Sequence, residues 1–516
     1  FVPVAENAAL SSPRVGTTLV DRSGNLWVGS VSGLDRINVA GVTPYVDRYG
    51  HRLGVVDALL EGREGCLWAG TSEGLYRLTD RRAYSLGQED GVSGNLVVGL
   101  KQTRDGSLWI SSWGGGVDRI QDGAVAHFAV GAPLSHETVT TIYEAPDGTM
   151  WLGNRGSALD RLAGGRVTTY VYPPGVATSR PVTSIFADDD GRLLVGISKR
   201  GLLQLHDGQL LPVPEAAALS AATVWTLYRA ADGRFFMGTS YGLFQRAADR
   251  SWQPIPLPGI PSPVIVRDFL ETDGAIWLAT EGQGLVRWQN GAARAYSSRD
   301  GMVDDVLFSV LDDDHGSLWV SSARGLARVR KSEFAAIDRG AATTLDVMTF
   351  GRGDGLQSGS TSGLGSPSAI RATDGRILTA TDKGVAAINP DVLQTNPLPP
   401  TVVIESVAAD DEQLPFGREI PVAAGVADIE IRYTALSLIA PQRLRFRYQL
   451  EGSDPRWVEA DHDRRAHYTH LSPGRYTFRV IASNSDGVWN ATGTTLVLVL
   501  QPHFYQTTWF AVAVVA

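Results

Sequence analysis

The sequence predicts an all-β chain: four-stranded β-propeller blades followed by an immunoglobulin- or fibronectin-III-like β-sandwich. Three observations predict it. A cassette of strand, Asp-Gly turn, small residue, Leu-Trp, small residue, short loop and Gly-Leu recurs nine times between residues 1 and 395. Each period of about 42 residues holds four short β-prone runs, the content of a propeller blade. From residue 401 to 500 the period vanishes and alternating strands follow, enough for one sandwich. Composition agrees, since 57 glycines and 13 tryptophans in 516 residues mean many tight turns with an aromatic packed near each.

The cassette's bulky anchor falls at Trp27, Trp68, Trp109, Trp151, Leu194, Phe236, Trp277, Trp319 and Leu378. Successive anchors lie 41–43 residues apart until the last interval of 59. Each anchor is expected to pack between neighbouring blades. The Gly-Leu element follows, for example at Gly33-Leu34, Gly201-Leu202 and Gly325-Leu326, with Ala158-Leu159 in its place in the fourth copy. In the third copy the strands are expected at 97–103, 108–111, 117–120 and 125–129, with Asp105-Gly106 and Asp122-Gly123 as two-residue hairpin turns. The long last interval predicts a closing blade with an insertion, helical near 331–340 and glycine- and serine-rich over 351–365. Two arrangements fit nine copies. In one, residues 1–85 are two blades of a truncated first propeller and 86–395 a seven-bladed one; the other is a single eight- or nine-bladed ring.

Residues 396–400, Asn-Pro-Leu-Pro-Pro, read as a stiff linker. In the sandwich, strands are expected at 402–407, 428–434, 443–450, 476–483 and 494–500. Leu471-Ser-Pro-Gly-Arg-Tyr476 reads as a tyrosine corner, with the Tyr476 hydroxyl bonding back to the backbone, and Trp457 as the buried core indole. Residues 501–516 end in the apolar run Trp509–Ala516, shorter than the roughly 20 residues a span needs. With Phe504, Tyr505 and Trp509 before it as interfacial aromatics, the run is expected to open a membrane helix that continues beyond the chain. A buried terminal strand is the other reading.

The Asp-Gly-x-Leu-Trp-Val-Gly/Ser…Gly-Leu cassette resembles the two-component regulator propeller repeat. The stretches Asp354-Gly-Leu-Gln-Ser-Gly, Asp374-Gly-Arg-Ile-Leu and Lys383-Gly-Val are similar to that family's final repeat. The sandwich resembles its triple-tyrosine domain, with Tyr433, Tyr448 and Tyr468 or Tyr476 as the named tyrosines. The resemblance implies a ligand-sensing region on the periplasmic side of the bacterial inner membrane. It further implies a C-terminal membrane anchor and a homodimer formed through the sandwich and the membrane helix. The output past the membrane is usually a histidine kinase, sometimes a diguanylate cyclase. The partner would be an unidentified small ligand, such as a saccharide, or a periplasmic protein.

In an up-and-down blade, the turn between strands two and three shares a face with the connector to the next blade. Sequence varies there. Candidate ligand-binding residues on that face are Asn95, Trp113, His136, Asn154, Arg155, Arg180, Lys199, Arg200, Tyr241, Glu281, Gln283 and Arg324. The anchor tryptophans, Tyr433, Tyr448, Trp457 and Tyr476 are assigned structural roles instead.

Several chemistries find no pattern. A net charge of −9 argues against a nucleic-acid surface. One cysteine, Cys66, allows neither an intrachain disulfide nor a cysteine-based zinc cluster, and reads as a small buried hydrophobe. Gly70-Thr-Ser-Glu-Gly74 and Gly238-Thr-Ser-Tyr-Gly242 match a nucleophile elbow only formally, because both sit at one repeat position between two strands. Asp188–Asp190 and Asp312–His315 fall in hairpin turns, where aspartate serves turn chemistry. No cofactor, metal or catalytic residue is expected, and this chain is read as non-enzymatic. A lyase or glycosidase remains an alternative that would need paired carboxylates at the central opening, with His136, Glu137 and Glu281 as candidates. An interaction scaffold is another.

Overall fold

A computed structural model of the chain describes residues 9–46, 51–78, 83–130, 133–156, 158–171, 180–230, 232–393, 396–415, 417–460, 463–506 and 510. The chain divides into two compact units, 81–394 and a second made of 1–80 with 395–516.

In the 81–394 unit, antiparallel meanders form sheet after sheet. The first sheet runs Val97–Gln102, Leu108–Ser112, Gly116–Gln121 and Ala124–Val130, and Pro133–Leu134 adds a short parallel strand at its outer edge. The next five sheets begin at inner strands Val139–Glu144, Val182–Ala187, Val224–Arg229, Ile265–Thr272 and Leu307–Asp312. The last comprises Ala369–Arg371, Ile377–Thr381 and Gly384–Ile388, and its outer strand is Ala83–Leu86 from the other end of the unit. Each inner strand packs on the next around a closed circle, with Ala369–Arg371 against Val97–Gln102. The sequence boundary at 85/86 therefore shifts. Residues 83–86 pair with the last sheet, because a strand borrowed from the opposite end closes the ring with hydrogen bonds.

The glycine of each first turn explains a second correction. Gly106 donates to Thr103 O and Thr103 N to Ser107 O, with Gly106 at φ +83°. Arg104, Asp105 and Gly106 thus make a three-residue loop closed by a left-handed glycine. Asp122-Gly123 is the two-residue turn, with φ of 49° and 80°. The insertion in the sixth sheet contains the helix Lys331–Asp338.

Packing between sheets centres on the anchors. Trp109 lies with Val139, Ile142 and Leu152 of the following sheet, and Trp151 with Ile185 and Val195. Trp277 packs on Leu307 and Val310, Trp319 on Ile377 and Ile388. All four are at most 8% exposed, so each contributes on the order of 2–3 kcal/mol of apolar burial.

The second unit holds two further repeat sheets and the sandwich. The sheet Val15–Val20, Leu26–Ser30, Gly33–Asn38, Gly41–Pro44 packs on the three-stranded sheet Val56–Glu61, Leu67–Thr71, Gly74–Leu78. Trp27 is half-buried and donates from Nε1 to Asp21 Oδ2 at 2.8 Å. Trp68, also half-buried, borders a cavity of about 180 Å³ with Leu398, Pro399, Leu436 and Leu438. Cys66 is buried. The turn before it places Glu64 where four donors converge: Asn396 Nδ2 at 2.9 Å, Ser437 Oγ at 2.7 Å, and the N–H groups of Leu438 and Ile439. The 396–400 linker is held down as well, since Asn484 Nδ2 donates to Asn396 O and Leu398 O and Asn490 Nδ2 to Pro400 O.

The sandwich pairs the sheet of Thr401–Ala409, Asp428–Leu436 and Arg465–Thr469 with that of Arg445–Glu451, Gly474–Ser483 and Thr494–Leu500. Its core stacks Tyr433, Tyr448 and Tyr468 around Phe478. Tyr468 Oη donates to Asp454 Oδ2 at 2.7 Å, and Tyr476 Oη to Ser472 O at 3.0 Å. Trp457 is not the core indole. It is 38% exposed beside the edge strand Val458–Glu459, with Arg479 5.5 Å from its ring, because the tyrosines and Phe478 already fill the interior. Among the described residues no helix is long and apolar enough to cross a membrane. Trp509 and residues 511–516, on which the membrane-helix reading rests, lie outside the described residues.

Candidate functional site

A β-bulge interrupts each inner strand of the first six ring sheets at one equivalent position. The register shifts fall between Val97 and Gly99, Val139 and Thr141, Val182 and Ser184, Val224 and Thr226, Val266 and Asp268, and Leu307 and Ser309. The extra residue of a bulge is unpaired and its side chain is re-aimed. Around the ring these residues are Val98, Thr140, Thr183, Trp225, Arg267 and Phe308. Three consecutive sheets present small side chains and the next three present large ones.

The small side receives the glycine- and serine-rich insertion. Ser366 N donates to Thr140 O at 2.9 Å, Ile142 N to Ser366 O at 3.3 Å, and Leu100 N to Pro367 O at 2.9 Å. A Cβ on Gly365 would lie 2.6 Å from Thr140 O, so only glycine passes there. The large side frames a cavity of about 250 Å³ on the ring axis. The Arg267 guanidinium sits 3.9 Å from the Trp225 ring centre and 5.5 Å from that of Phe308. It donates to Gly363 O and lies 3.4 Å from Glu281. Its side chain is 13% exposed, so the cation–π contact is largely desolvated.

Two more charged groups line the cavity. Burial lowers the pKa of Lys101, against the opposing pull of Glu144, and burial also lowers that of Arg267. Asp268 stands where Thr141, Ser184 and Thr226 stand in other sheets. Its oxygens accept from Phe269 N at 2.9 Å and Val310 N at 3.2 Å, and burial pushes its carboxyl up to about 7. Asp268 is the one carboxylate among the described cavity-lining residues. A facing pair, as glycoside hydrolysis requires, is not assembled there.

The sequence-derived candidates spread around the turn face. Two side chains meet: Arg155 lies 4.6 Å from the ring centre of Trp113, which is 40% exposed. Glu281 reaches the axis through Arg267. Asn154 is buried and spends its amide on its own turn, accepting from Gly156 N and Ala158 N and donating to Ser135 Oγ. His136 Nδ1 accepts from Thr138 N at 2.9 Å. Asn95 contributes its carbonyl to Gly384 N, and Arg180 donates to Lys199 O at 3.1 Å. Lys199 and Tyr241 are exposed, while Arg200 and Gln283 are half-buried. Arg324 is 3.9 Å from Asp304. The aspartate runs serve the fold: Arg192 Nε donates to Asp188, Lys331 Nζ to Asp312, and Trp319 Nε1 to Asp313. No group of three or more metal-ligating side chains occurs among the described residues.

Sequence reasoning missed Lys101, Trp225, Arg267, Asp268 and Phe308. The signal was present: aligned on the first strand of each cassette, Trp225, Arg267 and Phe308 replace small residues in three consecutive copies. Alignment on the second-strand anchors does not display it.

The Y_Y_Y domain family matches residues 438–500, and the two component regulator propeller family matches residues 133–156. A curated relative, histidine kinase P4 of Formosa agariphila, is 23% identical over 223 residues, which is 41% of this chain and 15% of that protein. The extracellular domain of a hybrid two component system from B. thetaiotaomicron superposes with a TM-score of 0.47 at 16% identity, covering 95% of this chain and 69% of that one. The WD40 β-propeller domain of Doa1 covers 60% of this chain at a TM-score of 0.41 and 14% identity. The chain thus carries, over residues 133–156 and 438–500, stretches that match the two component regulator propeller and the Y_Y_Y domain.

Proposed function

From that pairing of propeller repeats with a Y_Y_Y domain, we propose that the chain is the ligand-sensing region of a two-component receptor on the periplasmic side of a bacterial inner membrane. The observation that carries the reading is the joining of both family features in one chain. A ligand enters from the turn-bearing face of the 81–394 ring, where Trp113, Arg155, Lys199, Tyr241 and Arg324 stand. Binding biases two arrangements of the sandwich in a homodimer, and the segment after residue 500 carries the bias to a membrane helix and a histidine kinase. The ligand shifts that equilibrium only by its differential affinity for the two arrangements.

Titration calorimetry of the 516-residue chain against saccharides and short peptides tests the reading. Saturable heat from one class, with a shift in the monomer–dimer balance, is expected. Binding of a protein partner alone would overturn the small-ligand reading.

A further inference from the structure

The donors at the ring axis outnumber the acceptors that meet them. Arg267 has five N–H donors in a planar fork, and its recorded partners are Gly363 O and Glu281. Trp225 Nε1 is enclosed and has no hydrogen-bond partner. A buried donor left unpaired is costly, which makes such a group a pointer to what it would bind. Lys101 adds an ammonium on the first sheet, far around the ring from Arg267 on the fifth. Its neighbour Glu144 accepts from Arg104 N at 3.1 Å. The lining carboxyl, Asp268, accepts a backbone N–H on each oxygen and acts on Arg267 through space, without a hydrogen bond to it.

Shape and rigidity narrow the ligand. The cavity of about 250 Å³ has room for one sugar-sized ring. The Arg267 fork is held between Trp225 and Phe308, so its remaining donors are oriented in advance, and a planar fork matches a carboxylate. Tyr143, Phe186 and Phe308 supply apolar wall for a ring face.

We propose that the axial cavity is a binding site for a compact organic carboxylate about one sugar ring in size, held by Lys101, the Arg267 fork and the Trp225 indole N–H. The site deepens the sensing reading and rests on it for its purpose, although binding itself is a property of the cavity.

The test is titration calorimetry of the whole chain with D-glucuronate, with D-glucose as its neutral counterpart and sulfate as a bare anion. Glucuronate is expected to bind, with glucose and sulfate each weaker by about tenfold or more. Lys101→Met should weaken glucuronate about fivefold or more without moving the thermal midpoint, and Trp225→Phe, which removes the N–H together with one ring of the indole and lowers the midpoint, should weaken it likewise. Equal binding of glucose or sulfate overturns the proposal, as does unchanged affinity in Trp225→Phe. No heat from glucuronate at millimolar concentration also overturns it. A saccharide that binds both variants as well as it binds the parent chain leaves sensing intact and removes the cavity from it.

Discussion

Two arginines in this chain lie on tryptophans, and their settings differ. Arg155 covers Trp113 on the turn face, where both side chains are exposed. Arg267 covers Trp225 on the ring axis, where the guanidinium is nearly enclosed and also touches Phe308, Glu281 and Gly363. The same contact in water is worth roughly 0.5–1 kcal/mol and roughly 2 or more when desolvated. The exposed pair is adaptable and weak, whereas the axial pair is fixed and expensive to disturb. A scaffold that buries an arginine among aromatics, with spare donors pointing into a cavity, has a binding element set in position before any ligand arrives.

Arg267→Ala should have the largest effect. It strands the Gly363 carbonyl and opens a gap between two aromatic rings, so the urea midpoint of the 81–394 unit should fall by the equivalent of about 3 kcal/mol. A loss no greater than that from Arg155→Ala would erase the comparison.

Asp268 gives the axis a pH signature. Its carboxyl ordinarily titrates at 3.8 and is pushed up to about 7 by burial. Between about pH 4 and pH 7 the folded chain keeps a proton that the unfolded chain has released. Stability therefore falls as pH rises across that window, by about 2–4 kcal/mol, and levels off above it. Asp268→Asn should flatten that slope in denaturant melts, and an unaltered slope would assign it to other groups.

Gly365→Ala comes next. Its Cβ would collide with Thr140 O and the Val98 side chain, so the 363–367 segment must shift away from the axis at about 1–3 kcal/mol. Hydrogen exchange at Ser366 and Ile142 should accelerate, since their bonds hold the segment in place. Arg155→Ala closes the series, with a change of at most about 1 kcal/mol in the same melts.

The repeat pattern made one of these pairs legible and hid the other. Strand two announces itself through Leu-Trp after a glycine turn, and from it the blades, the turn face and the Trp113–Arg155 neighbourhood can be read. The axis is built by strand one. There the bulge residue looks like any other member of an apolar run, and its inward aim depends on a register shift that composition does not encode. Residues 83–86 escaped for a related reason, since a strand's partner 300 residues away leaves no local mark. Trp457 shows the converse error. An indole near a predicted core strand reads as core, but the space was taken by Tyr433, Tyr448, Tyr468 and Phe478. The Tyr476 corner was readable because its bond is local, four residues back to Ser472.

On the proposal above, the axial pair, rather than the turn-face pair, receives the ligand. Fluorine NMR of the chain labelled with 5-fluorotryptophan tests it, with the Trp113 and Trp225 resonances assigned from Trp113→Phe and Trp225→Phe. Added D-glucuronate should move the Trp225 resonance in a saturable way and leave that of Trp113 in place. Movement of Trp113 with Trp225 unchanged would contradict the account.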